Sequence, residues 1–277
     1  MGKLTGKHIV VTGASAGIGK LLSQRLGALG CRVTLAARRL DKLDELAAEI
    51  EAGPGQAFAA QCDVTRREEV LDLAKAARGH FGEIDIWVSN AGAGTRHGLL
   101  EATEDDMLAM YRLNCLSSLW GYQAVVPGWL EQGCGGQLMD VNSVGGLAGF
   151  AYNGGYCAAK HAMSGMGDVL RQELLGKEIT LTTVYPGLTE SDFSDAVTDR
   201  TGGDHSKRTT AMSRRGNFLV RKVSRKQSTE DVVAAMIRGM ERPRCHVYPH
   251  RWAAFAGFLY RLNPELVLGL MARSRRR

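Results

Sequence analysis

With 277 residues, 44% of them hydrophobic and 23% charged, the sequence is long enough to bury a sizeable core and ordinary in composition for a soluble globular protein. Its six cysteines (31, 62, 115, 134, 157 and 245) lie far apart, mostly within apolar helix or strand patterns, which argues for reduced, buried thiols in a cytosolic protein and against a disulfide framework. The formal net charge of +6 is unevenly placed: residues 1–199 hold 17 Lys+Arg against 24 Asp+Glu, and residues 200–277 hold 18 against 5, so the basic character belongs to the last quarter.

Met1 to Lys7 carries no apolar signal region and runs straight into His8 to Thr12, a short β-branched run of the kind found in a buried parallel strand. The run ends in Gly13-Ala14-Ser15-Ala16-Gly17-Ile18-Gly19, and a helix pattern follows through Leu21, Leu22, Leu26 and Leu29. Glycines at such a junction let the backbone turn sharply and approach a ligand, while the helix N-terminus offers free N–H groups to a pyrophosphate. Cys31 to Ala37 predicts a second strand, followed by Arg38-Arg39. An acidic residue at that strand end would hold a ribose 2′-hydroxyl, whereas arginine accommodates a 2′-phosphate. Arg38 therefore favours the phosphorylated dinucleotide, NADP(H) over NAD(H); the alternative is that Arg38 and Arg39 only flank the helix starting near Asp41.

A helix through Ile50 and a turn at Gly53-Pro54-Gly55 lead to a third strand, Ala57 to Cys62, which ends in Asp63-Val64-Thr65. Asp63 there either accepts from an adenine amine or caps the following helix. The fourth strand, Ile84 to Ser89, closes on Asn90-Ala91-Gly92, and a helix over Glu104 to Trp120 carries Asn114 among apolar neighbours. The fifth strand, Gln137 to Val141, leads to Asn142-Ser143-Val144-Gly145-Gly146, and the sixth, Thr180 to Tyr185, to Pro186-Gly187-Leu188-Thr189. Strand and helix alternate six times with chemistry at the strand carboxyl ends. The fold expected is α/β, a single-domain, Rossmann-like, doubly wound parallel sheet with helices on both faces.

Between the last two strands lies Tyr156-Cys157-Ala158-Ala159-Lys160. On a helix, residues four apart share a face, so phenol and ammonium stand one turn from each other. The positive charge is expected to pull the phenol below its free pKa of about 10, towards a value useful for exchanging a proton with an alcohol or carbonyl oxygen. With Thr12-Gly13-x-x-x-Gly17-x-Gly19, Asn90-Ala91-Gly92, Asn114, Ser143, Tyr156-x-x-x-Lys160 and Pro186-Gly187 in this order, the chain resembles the short-chain dehydrogenase/reductase family over about residues 5–195.

That resemblance implies roles residue by residue. Tyr156 would be the general acid in reduction and the base in oxidation, and Lys160 would lower its pKa and hold the nicotinamide ribose. Ser143 would hydrogen-bond the substrate oxygen, and Asn114 would hold a water of a proton relay to Lys160. The cofactor would lie on Gly13, Ser15, Ala16, Gly17, Ile18 and Gly19, with Arg38, Asp63 and Val64, with Asn90, Ala91 and Gly92, and with Pro186, Gly187 and Thr189. Family members commonly form homodimers or homotetramers through the helices holding Asn114 and Tyr156. Two departures stand out: Asn142 where many relatives have a second serine, and Ala16 where some NADP-using relatives carry a basic residue. A non-catalytic dinucleotide sensor is the competing reading, and the intact Ser143, Tyr156 and Lys160 argue against it.

The catalytic domain is expected over residues 1–250, with a Gly-, Ser-, Thr- and Arg-rich lid at about 190–228 and an extension over 251–277. Ser228 or Thr229 should cap a helix, and Cys245 to Tyr248 should form a last strand. The extension holds two apolar runs split by Arg261, Pro264 and Glu265, then a basic end; both runs are far short of the roughly 20 residues that span a bilayer. Residues 252–277 therefore either lie in an anionic membrane surface or pack on a neighbouring subunit. The expected location is the cytoplasm, peripheral at the inner membrane face if the tail meets lipid. Leu147, Phe150, Leu188 and Phe193 would form an uncharged substrate rim, pointing to a lipophilic carbonyl or secondary alcohol. No metal pair is expected, because Pro249 interrupts His246 and His250, and no nucleic-acid module accompanies the basic quarter.

Overall fold

The structure is a computed structural model, described here for residues 2–95, 98–189 and 226–275. Strands β1 (His8–Thr12), β2 (Arg32–Ala37), β3 (Gln56–Gln61), β4 (Ile86–Ser89), β5 (Gly136–Val141), β6 (Ile179–Val184) and β7 (His246–Val247) form one sheet in the order β3-β2-β1-β4-β5-β6-β7. Every pairing is parallel. β1, β2, β4 and β5 are almost wholly buried, as strands covered on both faces must be, and their β-branched and apolar residues fit that setting. The strand order reverses between β1 and β4, and the crevice at that reversal is where such sheets bind ligands.

Helices α1 (Gly17–Ala28), α2 (Leu40–Glu51) and α7 (Thr229–Glu241) cover one face, packing Leu22, Leu26, Leu43 and Met236 against Val11, Val33 and Met139. Helices α3 (Arg67–Phe81), α5 (Ser117–Gln132) and α6 (Gly154–Glu173) cover the other, where Trp87, Trp129, Tyr122 and Leu138 meet. Each fully buried side chain of this size contributes roughly 1.5–3 kcal/mol from apolar area alone. Ser228 caps α7, accepting from the Asp231 N–H at 3.1 Å.

Two helix boundaries differ from expectation. The helix expected over Glu104 to Trp120 is α4 (Glu104–Tyr111), a π-helical turn (Arg112–Leu116) and α5. Asn114 lies within this wider turn and is buried, at 1% exposure. α5 then continues through Pro127, because Val126 and Trp129 on either side are locked in the core and the Trp129 indole donates to the Ile84 carbonyl at 2.7 Å. The tail folds as α8 (Arg251–Leu262) and α9 (Pro264–Arg275), and no described helix is long and apolar enough to cross a membrane. The lid expected at about 190–228, with Phe193, lies outside the described residues except for Lys226 to Ser228.

Candidate active site

The first turn of the sheet is closed at backbone level. The Thr12 hydroxyl donates to the Val88 carbonyl (3.2 Å) and accepts from the N–H groups of Asn90 (3.0 Å) and Ala91 (3.2 Å). The Asn90 amide donates back to the Thr12 carbonyl at 2.8 Å. Gly13 sits at φ +67°, and a Cβ there would lie 2.8 Å from the Ala91 Cα. A Cβ at Gly19 would run into the Gly13 carbonyl oxygen and the Asn90 amide. Helix α1 follows from Ala16, whose side chain cannot cap it, and its first turn holds no acidic residue. Its leading N–H groups and positive dipole end are thus left for an anion.

At the end of β2 one arginine reaches this turn and the other faces the end of β3. Arg39 donates to the Ser15 hydroxyl at 2.9 Å, and Arg38 borders a recess of about 580 Å³ with Gln61, Asp63 and Glu69. Asp63 spends Oδ1 on the Thr65 N–H (3.0 Å) and hydroxyl (2.8 Å), a turn ahead of α3, and Val64 is buried. The chain thus presents a glycine cradle, an uncapped helix start and two guanidinium groups near the ends of β1 and β2, a donor set that fits a nicotinamide dinucleotide.

The carboxyl ends of β5 and β6 bring the remaining motifs together. The Ser143 hydroxyl accepts from the Gly145 N–H at 3.0 Å and is hydrogen-bonded to the half-buried Tyr156. Lys160 Nζ stands 5.9 Å from the Tyr156 ring centroid and donates to the Val141 carbonyl at 2.9 Å. Asn114 donates to the carbonyls of Ala93 (3.0 Å) and Met110 (3.2 Å), leaving Oδ1 without a hydrogen bond among the described residues. A Cβ at Gly92 would lie 2.8 Å from that Oδ1 and 3.8 Å from Lys160 Nζ, so glycine there keeps open the approach between amide and ammonium. Asn142 supports the strand end: its Oδ1 accepts from the Ser143 N–H (2.8 Å) and its amide donates to the Lys160 carbonyl (3.1 Å).

The titration of this group differs from the expectation drawn from spacing. Burial pushes the Tyr156 phenol up to about 12, with the Ser143 hydrogen bond pulling the other way. Burial likewise pushes the Lys160 ammonium down to about 8. Four-residue spacing says the two groups are neighbours; it says nothing of desolvation, and here desolvation outweighs the charge.

The family model described as short chain dehydrogenase matches residues 7–202. The chain belongs to the short-chain dehydrogenase family. An uncharacterized oxidoreductase of Listeria monocytogenes is 36% identical over 198 residues, covering 70% of this chain and 79% of that protein. Among solved structures, a short chain dehydrogenase/reductase from Burkholderia phymatum in complex with NAD superposes with a TM-score of 0.83 at 23% identity, covering 96% of both chains. An alcohol dehydrogenase from Thermococcus sibiricus complexed with 5-hydroxy-NADP superposes at 0.72 and 23% identity, over 87% of this chain and 95% of that one. These likenesses agree with the fold, and the protein is an oxidoreductase of the short-chain dehydrogenase type.

In this short-chain dehydrogenase the extension reaches the site of its own chain. Gly257 on α8 rests on Leu147, where a Cβ would lie 2.9 Å away, and Arg261 donates to the Gly146 carbonyl at 3.5 Å. Leu147 is therefore buried beneath α8, Phe150 is half-buried and Leu188 is exposed. His250 packs against Gly187, whose N–H donates to Gln227 at 2.8 Å, and the Thr189 hydroxyl donates to the Gly187 carbonyl at 3.1 Å. Just before α6, Tyr152 adopts φ +67°, uncommon outside glycine, where the chain turns from Phe150 into the helix. Sequence reasoning gave Arg39 no role beyond flanking α2, and it did not anticipate the Tyr152 conformation or the docking of α8. Only Arg39, beside Arg38, left a signal that could have been used.

Proposed function

We propose that this short-chain dehydrogenase interconverts a carbonyl and a secondary alcohol on a lipophilic substrate, using NADP(H), with Tyr156 as general acid and base. The observation that carries the reading is the Tyr156 hydroxyl bonded to Ser143 with the buried Lys160 ammonium beside its ring. When bound, the nicotinamide dinucleotide supplies or takes up the hydride. Gly13, Ser15, Ala16, Gly17, Ile18 and Gly19 would hold its pyrophosphate at the start of α1, Arg38 and Arg39 its 2′-phosphate, and Pro186, Gly187 and Thr189 its nicotinamide end. Asp63, Val64, Asn90, Ala91 and Gly92 would line the side between. A phenol near 12 keeps its proton throughout the neutral range and so is ready to protonate a carbonyl oxygen. Ser143 would hold that oxygen as charge develops, and Lys160 would stabilise the tyrosinate left behind. The Oδ1 of Asn114, which has no hydrogen bond among the described residues and lies near Lys160, suits a relay that returns the proton.

The preference for NADP(H) is supported by the arginine pair and by the absence of an acidic residue at Ala37. Leu147, Phe150 and Leu188 are uncharged, which supports an apolar substrate body, with Phe193 expected to join them. Residues 1–250 would act as the catalytic unit and 251–277 as an appendage to it. α8 exposes Trp252, Phe255, Phe258 and Leu262, with Arg251 and Arg261 near its two ends, a pattern suited to lying on an anionic lipid surface. A groove of about 470 Å³ between α5 and α6, lined by Leu119, Val126, Met166 and Val169, suits pairing with a second copy of the chain.

Replacing Tyr156 with Phe should lower kcat for carbonyl reduction by about 10²- to 10⁴-fold while NADPH still binds, as followed by fluorescence titration. Turnover at the native rate would refute the assigned acid, and a native protein inert towards every carbonyl and alcohol would favour the dinucleotide sensor. Truncation after Pro249 should abolish cosedimentation with anionic vesicles and slow turnover of long-chain ketones more than of small charged ones; unchanged binding and activity would assign the tail to another role.

A further inference from the structure

Among the described residues, Asp140 is the single buried carboxylate and Lys160 the single buried amine, at 1% and 3% exposure. Alternation along β5 puts Leu138 and Asp140 on the face covered by α5 and α6, with Met139 and Val141 on the other. Asp140 is paired across the sheet with Ser89 of β4. Its Oδ2 accepts from the Tyr122 hydroxyl on α5, and its Oδ1 makes no hydrogen bond of normal geometry among the described residues. Lys160 reaches the same strand end, donating to the carbonyl of Val141, the next residue along. Among the described residues, the groups that act on this carboxylate are Tyr122 from α5 and Ser89 from β4 by hydrogen bonding, and Lys160 and Arg171 from α6 and Cys115 from the π-helical turn through their charge.

A buried charge is costly unless it is compensated. Tyr122 alone could clamp a neutral Asn at position 140, so a carboxylate there calls for an electrostatic reason. We propose that Asp140 is a positioning residue for the proton transfer: its carboxylate is the counter-charge that keeps Lys160 protonated, so that Tyr156 has a cation beside it when it releases its proton. This rests on the roles assigned above to Tyr156 and Lys160. Burial raises the Asp140 carboxyl to about 6 and lowers the Lys160 ammonium to about 8, and each charge pulls the other back towards its ionised form. Between those values both groups are charged, which is the interval in which the pair can serve the tyrosine.

The test is a ¹³C NMR titration of the full-length protein labelled at lysine Cε, with Lys160→Arg identifying the signal. In Asp140→Asn the Lys160 midpoint should fall by about 1 pH unit or more, and the alkaline limb of NADPH-dependent reduction should move down with it. Tyr122→Phe, which leaves the carboxylate easier to protonate, should shift both in the same direction by less. It also decides the matter if Asp140→Asn does not fold. A Lys160 midpoint unchanged in the folded variants, with only thermal stability altered, would overturn the proposal and reduce Asp140 to a clamp between β5 and α5. Native turnover by Tyr156→Phe would instead sink the functional reading, leaving the NMR result on the Asp140–Lys160 pair standing.

Discussion

The two halves of the carboxyl edge do their work by opposite means. Between β1 and β4 the site is shaped by missing side chains: Gly13 and Gly19 allow backbone and Asn90 to close to distances that no Cβ would tolerate. Between β5 and α6 it is shaped by side chains that burial makes uncomfortable, Asp140, Tyr156 and Lys160, all displaced from their ordinary titration. The first half is a rigid cradle whose failure is steric and indifferent to pH. The second is an electrostatic device whose failure is gradual and set by pH. In the function proposed above, the first half would hold a dinucleotide in place and the second would move a proton beside it.

Substitutions can separate the halves. The largest effect is expected from Gly19→Val, which drives a branched side chain into the Gly13 carbonyl and the Asn90 amide. Calorimetry should show NADPH and NADH binding weakened alike, by about 100-fold, with no dependence on pH; overpacking of this kind costs up to about 3 kcal/mol. Equal affinity to the native protein would mean that the cradle is not the dinucleotide site. A smaller effect is expected from Arg38→Ala, about tenfold in NADPH affinity with NADH unaffected, as loss of one charge-assisted contact implies. Arg39→Ala should act in the same direction by less, since its guanidinium is already tied to Ser15. If the native kcat/KM is equal for the two cofactors, the arginine pair has no phosphate to read.

The same contrast explains what could be read from the sequence. Glycine spacing after β1, the Asn90-Ala91-Gly92 end of β4 and the Tyr156-to-Lys160 interval are local patterns, so the sheet and its switch point were legible and the residues proposed for the site could be named. The π-helical turn under Asn114 was not, because residues 104–132 carry no break in apolar pattern at that point. Nor was the rise of the Tyr156 phenol: desolvation depends on what packs around a ring, and the turn after β5 at Ser143 and Gly145 comes up against it from elsewhere in the chain. Asp140 looked like any strand residue until its strand was placed against Tyr122. The docking of α8 on Leu147 was hidden for a related reason, as an apolar run shows that a helix will be covered somewhere but not by what.

The account turns on Lys160 carrying its charge while Tyr156 keeps its proton, and the pH dependence of kcat/KM for NADPH-driven carbonyl reduction tests this most directly. Lys160 has its folded pKa lowered from the model-compound value of 10.5 to about 8, so its charge is present below about 8 and lost as pH rises through it, while the Tyr156 phenol, near 12, stays protonated. Above the Asp140 value of about 6 the predicted profile is level to about pH 7 and falls with a single-proton midpoint near 8. A profile that stays level to about pH 10, where an unperturbed lysine would begin to titrate, would contradict it.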